Sequence, residues 1–222
     1  MQFFYQNNHS EDLIVFFAGW GCDQNQFTNL HDVKDILILY DYQDLSLDFD
    51  FSKYKHTDII AYSAGVFVAC IFAHRIKNIR RKVAVCGNPY LFDEAFGVSE
   101  DTIRVFQTIT LDNYLDFRRK YMVFSDAEYE KYNKLESLRT IESCENEFAA
   151  LVKMYEENKD NKIRLIFDKA IMAENDLIFN LEAQKAFYKD KLQVIKNARH
   201  HVFFRFNRFE DLLSGTENTQ GG

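Results

Sequence analysis

The chain has 222 residues, 47% of them hydrophobic and 27% charged, enough for one sizeable core, as one domain with additions or two small ones. Eight glycines, one proline, four cysteines and 16% aromatics exclude collagen, low-complexity disorder and a disulfide miniprotein. A formal net charge of −7 argues against a general nucleic-acid binder, which needs a basic face. No run of about 20 apolar residues exists, so no transmembrane helix is expected. The first five residues lack the basic stretch and apolar run of a signal peptide. Cys22, Cys70, Cys86 and Cys144 are scattered, without a CxxC pair, and read as reduced thiols of a cytoplasmic protein.

From the N-terminus onward, short apolar runs predict strands at 3–5, 13–18, 36–40, 57–62 and 82–86. A pair of strands is predicted between 163 and 173, and a last one at 191–195. Several are apolar throughout, which suits a parallel sheet covered on both faces. Helical patterns at 65–77 and 181–189 alternate with them, so the fold class is α/β, with ligands at the carboxyl ends of the strands. Between 93 and 160 the alternation stops. Three helical patterns, 101–119, 125–139 and 141–158, fill that stretch, with 16 acidic and 9 basic residues. The expected organisation is a core at 1–92 and 161–213, a helical insert at 93–160 and a disordered polar tail at 214–222.

The strongest local signal is Asp58-Ile59-Ile60-Ala61-Tyr62-Ser63-Ala64-Gly65-Val66. An apolar strand runs into small-x-Ser-x-small, and a helix pattern begins at once, the setting of a nucleophile elbow. Small residues two before and two after the serine avoid collision across the sharp turn. Ser63 then sits at a helix N-terminus, where the Ala64 amide and the helix dipole face a developing oxyanion. The plain competitor is a serine that merely caps the helix. A second loop, Phe16-Phe17-Ala18-Gly19-Trp20-Gly21-Cys22, ends a strand in Gly-x-Gly. It can bring the Trp20 backbone N–H to the same serine, with the Trp20 ring walling the acyl pocket.

Two late segments complete the set. Asp176 follows a short apolar strand, and His200-His201 follow the last one, giving the order Ser63, Asp176, His200. That is the triad order of α/β-hydrolases. A serine hydroxyl needs a neutral imidazole to take its proton and a carboxylate to fix the tautomer. Asp168 is the rival acid but precedes its strand. His201 is the rival base; His200 is preferred because Val202 and Phe203 should pack inward. His9, His31, His56 and His74 lack a strand-end context. No Cys/His cluster has metal-ligand spacing, so no metal is expected. The chemistry needs no cofactor. The basic run 75–82 precedes a strand and reads as a solvated face away from the site.

Phe17-Ala18-Gly19-Trp20-Gly21, Ala61-Tyr62-Ser63-Ala64-Gly65, Asn175-Asp176-Leu177-Ile178-Phe179 and His200-His201-Val202-Phe203 together resemble the BioG-type pimeloyl-[acyl-carrier protein] methyl ester esterases. The resemblance spans nearly the whole chain. It implies an α/β-hydrolase with a helical lid at 93–160 and a role in biotin precursor synthesis. The substrate would be a pimeloyl chain on acyl-carrier protein, masked as a methyl ester. Ser63 would be the nucleophile, His200 the base and Asp176 its orienter, with the Trp20 and Ala64 amides holding the oxyanion. The chain departs in Ala61 and Tyr62 of the elbow and in Asn180 after Phe179, where a proline often follows. An acidic carrier protein needs a local basic surface to dock, and Arg104, Arg118, Arg119 and Lys120 are the candidates. No nucleic acid or membrane partner is expected, and the chain should act as a monomer. The competing readings are a thioesterase or short-chain esterase on the same scaffold, and a catalytically inactive hydrolase fold used as a binding module.

Overall fold

The computed structural model describes residues 1–110, 112–161 and 165–218. Seven strands form one sheet: β1 (Gln2–Gln6), β2 (Asp12–Phe17), β3 (Asp35–Tyr40), β4 (His56–Tyr62), β5 (Ile79–Val85), β6 (Lys169–Ala173) and β7 (Leu192–Ile195). Their spatial order is β1-β3-β2-β4-β5-β6-β7, with β1 antiparallel to β3 and every other pairing parallel. Leu13 to Phe17, Leu37, Leu39 and Ile59 to Ala61 are fully buried. Continuous apolar strands therefore mark a sheet covered on both faces, as their composition requires.

One face is covered by α1 (Ala64–Phe72) and by the long chain segment that follows β5. That segment holds α2 (Glu100–Gln107), α3 (Tyr114–Phe117), α4 (Asp126–Asn133) and α5 (Ile141–Asn158), with no strand between 93 and 160 among the described residues. α6 (Leu181–Tyr188) joins β6 to β7, and α7 (Phe209–Ser214) closes the opposite face together with Phe27, Phe203 and Phe206. No helix of the described residues is long and apolar enough to cross a membrane.

Several elements differ from their sequence reading for local reasons. The pattern at 101–119 is two helices, the first ending at Gln107 and the second starting at Tyr114, where Asn113 donates to the Thr108 carbonyl and accepts from the Thr110 amide. The pattern at 125–139 ends at Asn133. Residues 165–167 carry no strand, and 162–164 lie outside the described residues. The tail expected to be disordered from 214 is tied down as far as 218. Gly215 ends α7 in the left-handed conformation, at φ 77°, and the Asn218 amide donates to the Arg205 carbonyl. The remaining four residues lie outside the described ones.

At the amino ends of the strands the basic run is more than a solvated face. Asp58, buried at the start of β4, receives Arg80, Arg81 and Lys34, and Glu210 of α7 pairs with Arg81 and Lys34. A buried carboxylate is tolerable only with such donors. Burial alone would raise the Asp58 carboxyl, but the hydrogen bonds from Arg80, Arg81 and Lys34 win and hold it well below the usual range.

Candidate active site

The strand order reverses between β2 and β4, whose neighbouring carboxyl ends lie side by side with Phe17 opposite Ala61. Chains leaving such a switch point diverge and open a crevice. Gly19-Trp20-Gly21 follows β2 and Ser63 follows β4, so the two motifs separated by some forty residues meet there. Gly65 makes the junction tight: a Cβ on it would lie 2.4 Å from the carbonyl oxygens of Phe17 and Ala18. Glycine is thus required for α1 to sit directly on the end of β2.

Ser63 has φ 54° and ψ −125°, a strained conformation for a residue with a side chain. It stands in the capping position of α1, yet its hydroxyl caps nothing. The Oγ–H instead donates to His200 Nε2 at 2.9 Å. His200 Nδ1–H donates to Asp176 Oδ2 at 2.9 Å. Because an ionised carboxylate only accepts, Nδ1 carries the proton and Nε2 is left as the acceptor for Ser63. The other oxygen of Asp176 accepts the backbone amides of Ile178 (2.8 Å) and Phe179 (3.2 Å), which fixes the carboxylate. Phe179 stacks on the His200 ring at 6.1 Å between centroids. The structure therefore brings Ser63, Asp176 and His200 into one hydrogen-bonded line.

The rivals lie elsewhere. Asp168 accepts from the Lys82 amide and pairs with its ammonium before β6 begins. His201 is buried among Phe27, Tyr132 and Phe203. Its burial, then the neighbouring His200 and Arg118, push its pKa down to about 3, so it stays neutral. Cys86 lies behind the relay: its sulfur, an Asp176 oxygen and a His200 nitrogen fall within 4.8 Å of one another. Burial pushes that thiol far above its ordinary pKa, and both carboxylate oxygens are already engaged. The trio is the carboxylate–imidazole pair with a packed thiol against it, a poor donor set for a metal, which needs a thiolate.

Ser63, His200, Trp20 and Ala64 open into one cavity of about 650 Å³. Its walls are mostly apolar, including Leu91, Val98, Phe106, Phe148 and Leu151. Trp20 packs on Phe106 and Phe148 (5.2 and 5.5 Å), so its ring is a wall of the cavity. The first amides of a helix have no intrahelical acceptor, which leaves the Ala64 N–H open beside Ser63. The Gly21 amide is already used: it donates to Glu147 Oε2 at 2.9 Å.

Two features of this wall escaped the sequence reading. Glu147, wholly buried on α5, accepts from Gly21 through one oxygen and from the Tyr42 amide through the other (3.0 Å). It also pairs with Arg139, which binds Asp41 at 2.6 Å. The indole N–H of Trp20 donates to the Cys144 carbonyl of α5 at 2.7 Å. α5 thus holds the loop after β2 by both backbone and side chain. The available signal was a glutamate on the apolar stripe of α5, between Cys144 and Leu151, where a solvated charge has no place.

The second is Arg118, expected on the surface with the docking residues. It is 1% exposed. A wide π turn at Arg118–Met122 rotates Arg118, Tyr121 and Met122 inward while Arg119 and Lys120 remain exposed. Arg118 lies over the Tyr132 ring at 4.4 Å, donates to the Tyr132 carbonyl at 2.7 Å and lines the cavity. The same turn receives the His200 and His201 amides at the Tyr121 and Met122 carbonyls. Arg104 is exposed on α2, paired with Glu100 and Asp101, and Arg119 pairs with Asp126.

Residues 1–212 match the family described as pimeloyl-ACP methyl esterase BioG. An uncharacterized protein of Haemophilus influenzae is 33% identical over 215 residues, covering 94% of this chain and 95% of that protein. A malonyl-[acyl-carrier protein] O-methyltransferase of Bacteroides fragilis is 30% identical over 178 residues, which cover 76% of this chain but 35% of that longer protein. The crystal structure of BioG from Haemophilus influenzae superposes with a TM-score of 0.85 at 29% identity, over 96% of this chain and 100% of that one. A lipase-esterase related protein of Clostridium acetobutylicum shares the fold, with a TM-score of 0.61 at 18% identity over 90% and 92% of the two chains. The fold is that of the α/β-hydrolases, the chain is a carboxylic ester hydrolase, and it belongs to the BioG family of pimeloyl-ACP methyl esterases.

Proposed function

We propose that this chain hydrolyses the methyl ester of a pimeloyl group borne on acyl-carrier protein, in the making of a biotin precursor. The observation that carries the reading is the Ser63–His200–Asp176 line at the mouth of an apolar cavity. His200 Nε2 takes the Ser63 proton as Oγ attacks the ester carbonyl, and the Trp20 and Ala64 amides receive the oxyanion. Methanol leaves with the proton held by His200. Water, deprotonated by the same nitrogen, then releases the acid and restores Ser63. Asp176 stabilises the imidazolium and keeps its orientation. The cavity takes the methylene chain, and the segment at 93–160 serves as the lid over it.

A methyl ester, rather than a thioester, is favoured by the family description and by the relative named for O-methyl transfer to a carrier-borne acid. Arg104, Arg119 and Lys120 remain the docking candidates. Lys120 has no ion-pair partner among the described residues, whereas the other two are partly neutralised by neighbours. Charge reversal at Arg119 and Lys120 should raise KM for the carrier-borne ester and leave p-nitrophenyl butyrate unaffected. Equal effects on both substrates remove the docking role.

The deciding experiment is hydrolysis of methyl pimeloyl-acyl-carrier protein by the wild type and by Ser63→Ala, beside p-nitrophenyl acetate and butyrate. Rapid demethylation that disappears in Ser63→Ala is expected. Activity on the small esters alone discards the biotin role. Turnover that survives Ser63→Ala overturns the nucleophile.

A further inference from the structure

Two arginines reach the acyl cavity, and they are served very differently. Arg139 has two buried carboxylates, Asp41 and Glu147, and the Ser143 carbonyl and hydroxyl. Arg118 is as deeply buried but has no buried counterion among the described residues. It has one carbonyl, the rings of Tyr132 and Tyr114, and Glu136 at 3.7 Å, too far for a hydrogen bond. The Glu136 side chain is 61% exposed and keeps its hydration. The Nε–H is buried with no acceptor in both arginines, so what sets Arg118 apart is its missing buried counterion. A guanidinium carries five donors in a rigid fork, and leaving them unmet inside an apolar wall is costly. A buried donor set of this kind calls for a partner, and a ligand in the cavity can supply one.

We propose that Arg118 is the polar end of the acyl site: its guanidinium donates to an oxygen of a second carbonyl group on the acyl chain. The site then takes monoesters and diesters of dicarboxylic acids in preference to simple fatty esters. The inference rests on the reading of the cavity as an acyl site and names the residue that selects among acyl chains. One chemistry serves two sources: the thioester carbonyl of a carrier-borne chain and the carboxylate of a free half-acid. Ser63 and Arg118 line the same mostly apolar cavity, whose walls admit methylenes, and the planar fork suits a carbonyl or carboxylate oxygen. The residue is a specificity determinant, with no part in bond making.

The test is binding without turnover. Calorimetry on Ser63→Ala compares methyl heptanoate, dimethyl heptanedioate and monomethyl heptanedioate, with and without Arg118→Met. A hydrogen bond from a charged donor predicts that one or both seven-carbon dicarboxylates bind about tenfold or more tighter than methyl heptanoate. Arg118→Met should erase that preference and leave methyl heptanoate within about twofold. Preference for both dicarboxylates assigns the neutral carbonyl as sufficient; preference for the half-acid alone assigns the carboxylate. No preference with Arg118 present, or an equal one after its removal, overturns the proposal. If Arg118→Met does not fold, Arg118→Lys carries the test, a reduced preference supporting the proposal and an unchanged one overturning it. Turnover of the same esters by the wild type tests the esterase reading separately, since binding preference does not depend on it.

Discussion

Replacing Glu147 with glutamine keeps the size of the side chain and removes one acceptor. Both carboxylate oxygens accept backbone N–H groups, Tyr42 on one and Gly21 on the other, and Arg139 adds its charge. A glutamine amide presents one oxygen and one NH2, so whichever way it turns, one buried backbone donor faces another donor. An unmet buried donor costs about 1–3 kcal/mol, and breaking a buried ion pair up to about 5 kcal/mol. Arg139 keeps Asp41, so the loss should fall near 3 kcal/mol, and the melting temperature of a chain this size should drop by about 6–12 °C. The Gly21 contact adjoins the Trp20 amide proposed for the oxyanion. Displacement of such a donor lowers kcat by up to about 100-fold. Assayed on p-nitrophenyl butyrate below the melting point, Glu147→Gln should lower kcat at least about tenfold with KM within about twofold. A lower melting temperature with unchanged kcat would show that α5 supports the fold without setting the oxyanion loop. No change in either would refute the energetic reasoning.

Acid should weaken the fold through Asp58 and Glu210. Both carboxyls titrate lower in the folded chain than in the unfolded one, Glu210 down to about 2 through Arg81 and Lys34. Their stabilisation is therefore full above the unfolded range near pH 4 and is lost as pH falls through the folded values. The urea midpoint should decline steadily between about pH 4.5 and 2, and Asp58→Asn should flatten that decline while lowering stability at pH 7. All four thiols have raised pKa values through burial, Cys144 to about 11 and Cys70 to about 12. Iodoacetamide at pH 8 should modify the native protein slowly and leave esterase activity intact, with four thiols reacting after denaturation. Rapid modification coupled to inactivation would contradict the packing of Cys22 and Cys86 beside the site.

The line of Ser63, His200 and Asp176 was legible in the sequence because each member ends a strand. Strand ends announce themselves locally, by an apolar run, a small-residue turn and a helix start, and in a parallel sheet those ends share one edge. α5 was equally legible, its bounds at Ile141 and Asn158 set by a threonine cap and a single apolar stripe. Neither Glu147 nor Arg118 could be placed that way. A charged residue in a helical pattern looks solvated unless its partners are known, and those partners, Gly21, Tyr42 and the Tyr132 carbonyl, come from distant segments or depend on a π turn that breaks the 3.6-residue period. By itself the sequence determined which residues stand at the carboxyl edge of the sheet. Only the tertiary structure decided which charges are drawn inside, because burial of a charge is settled by the donors and acceptors that long-range packing brings to it.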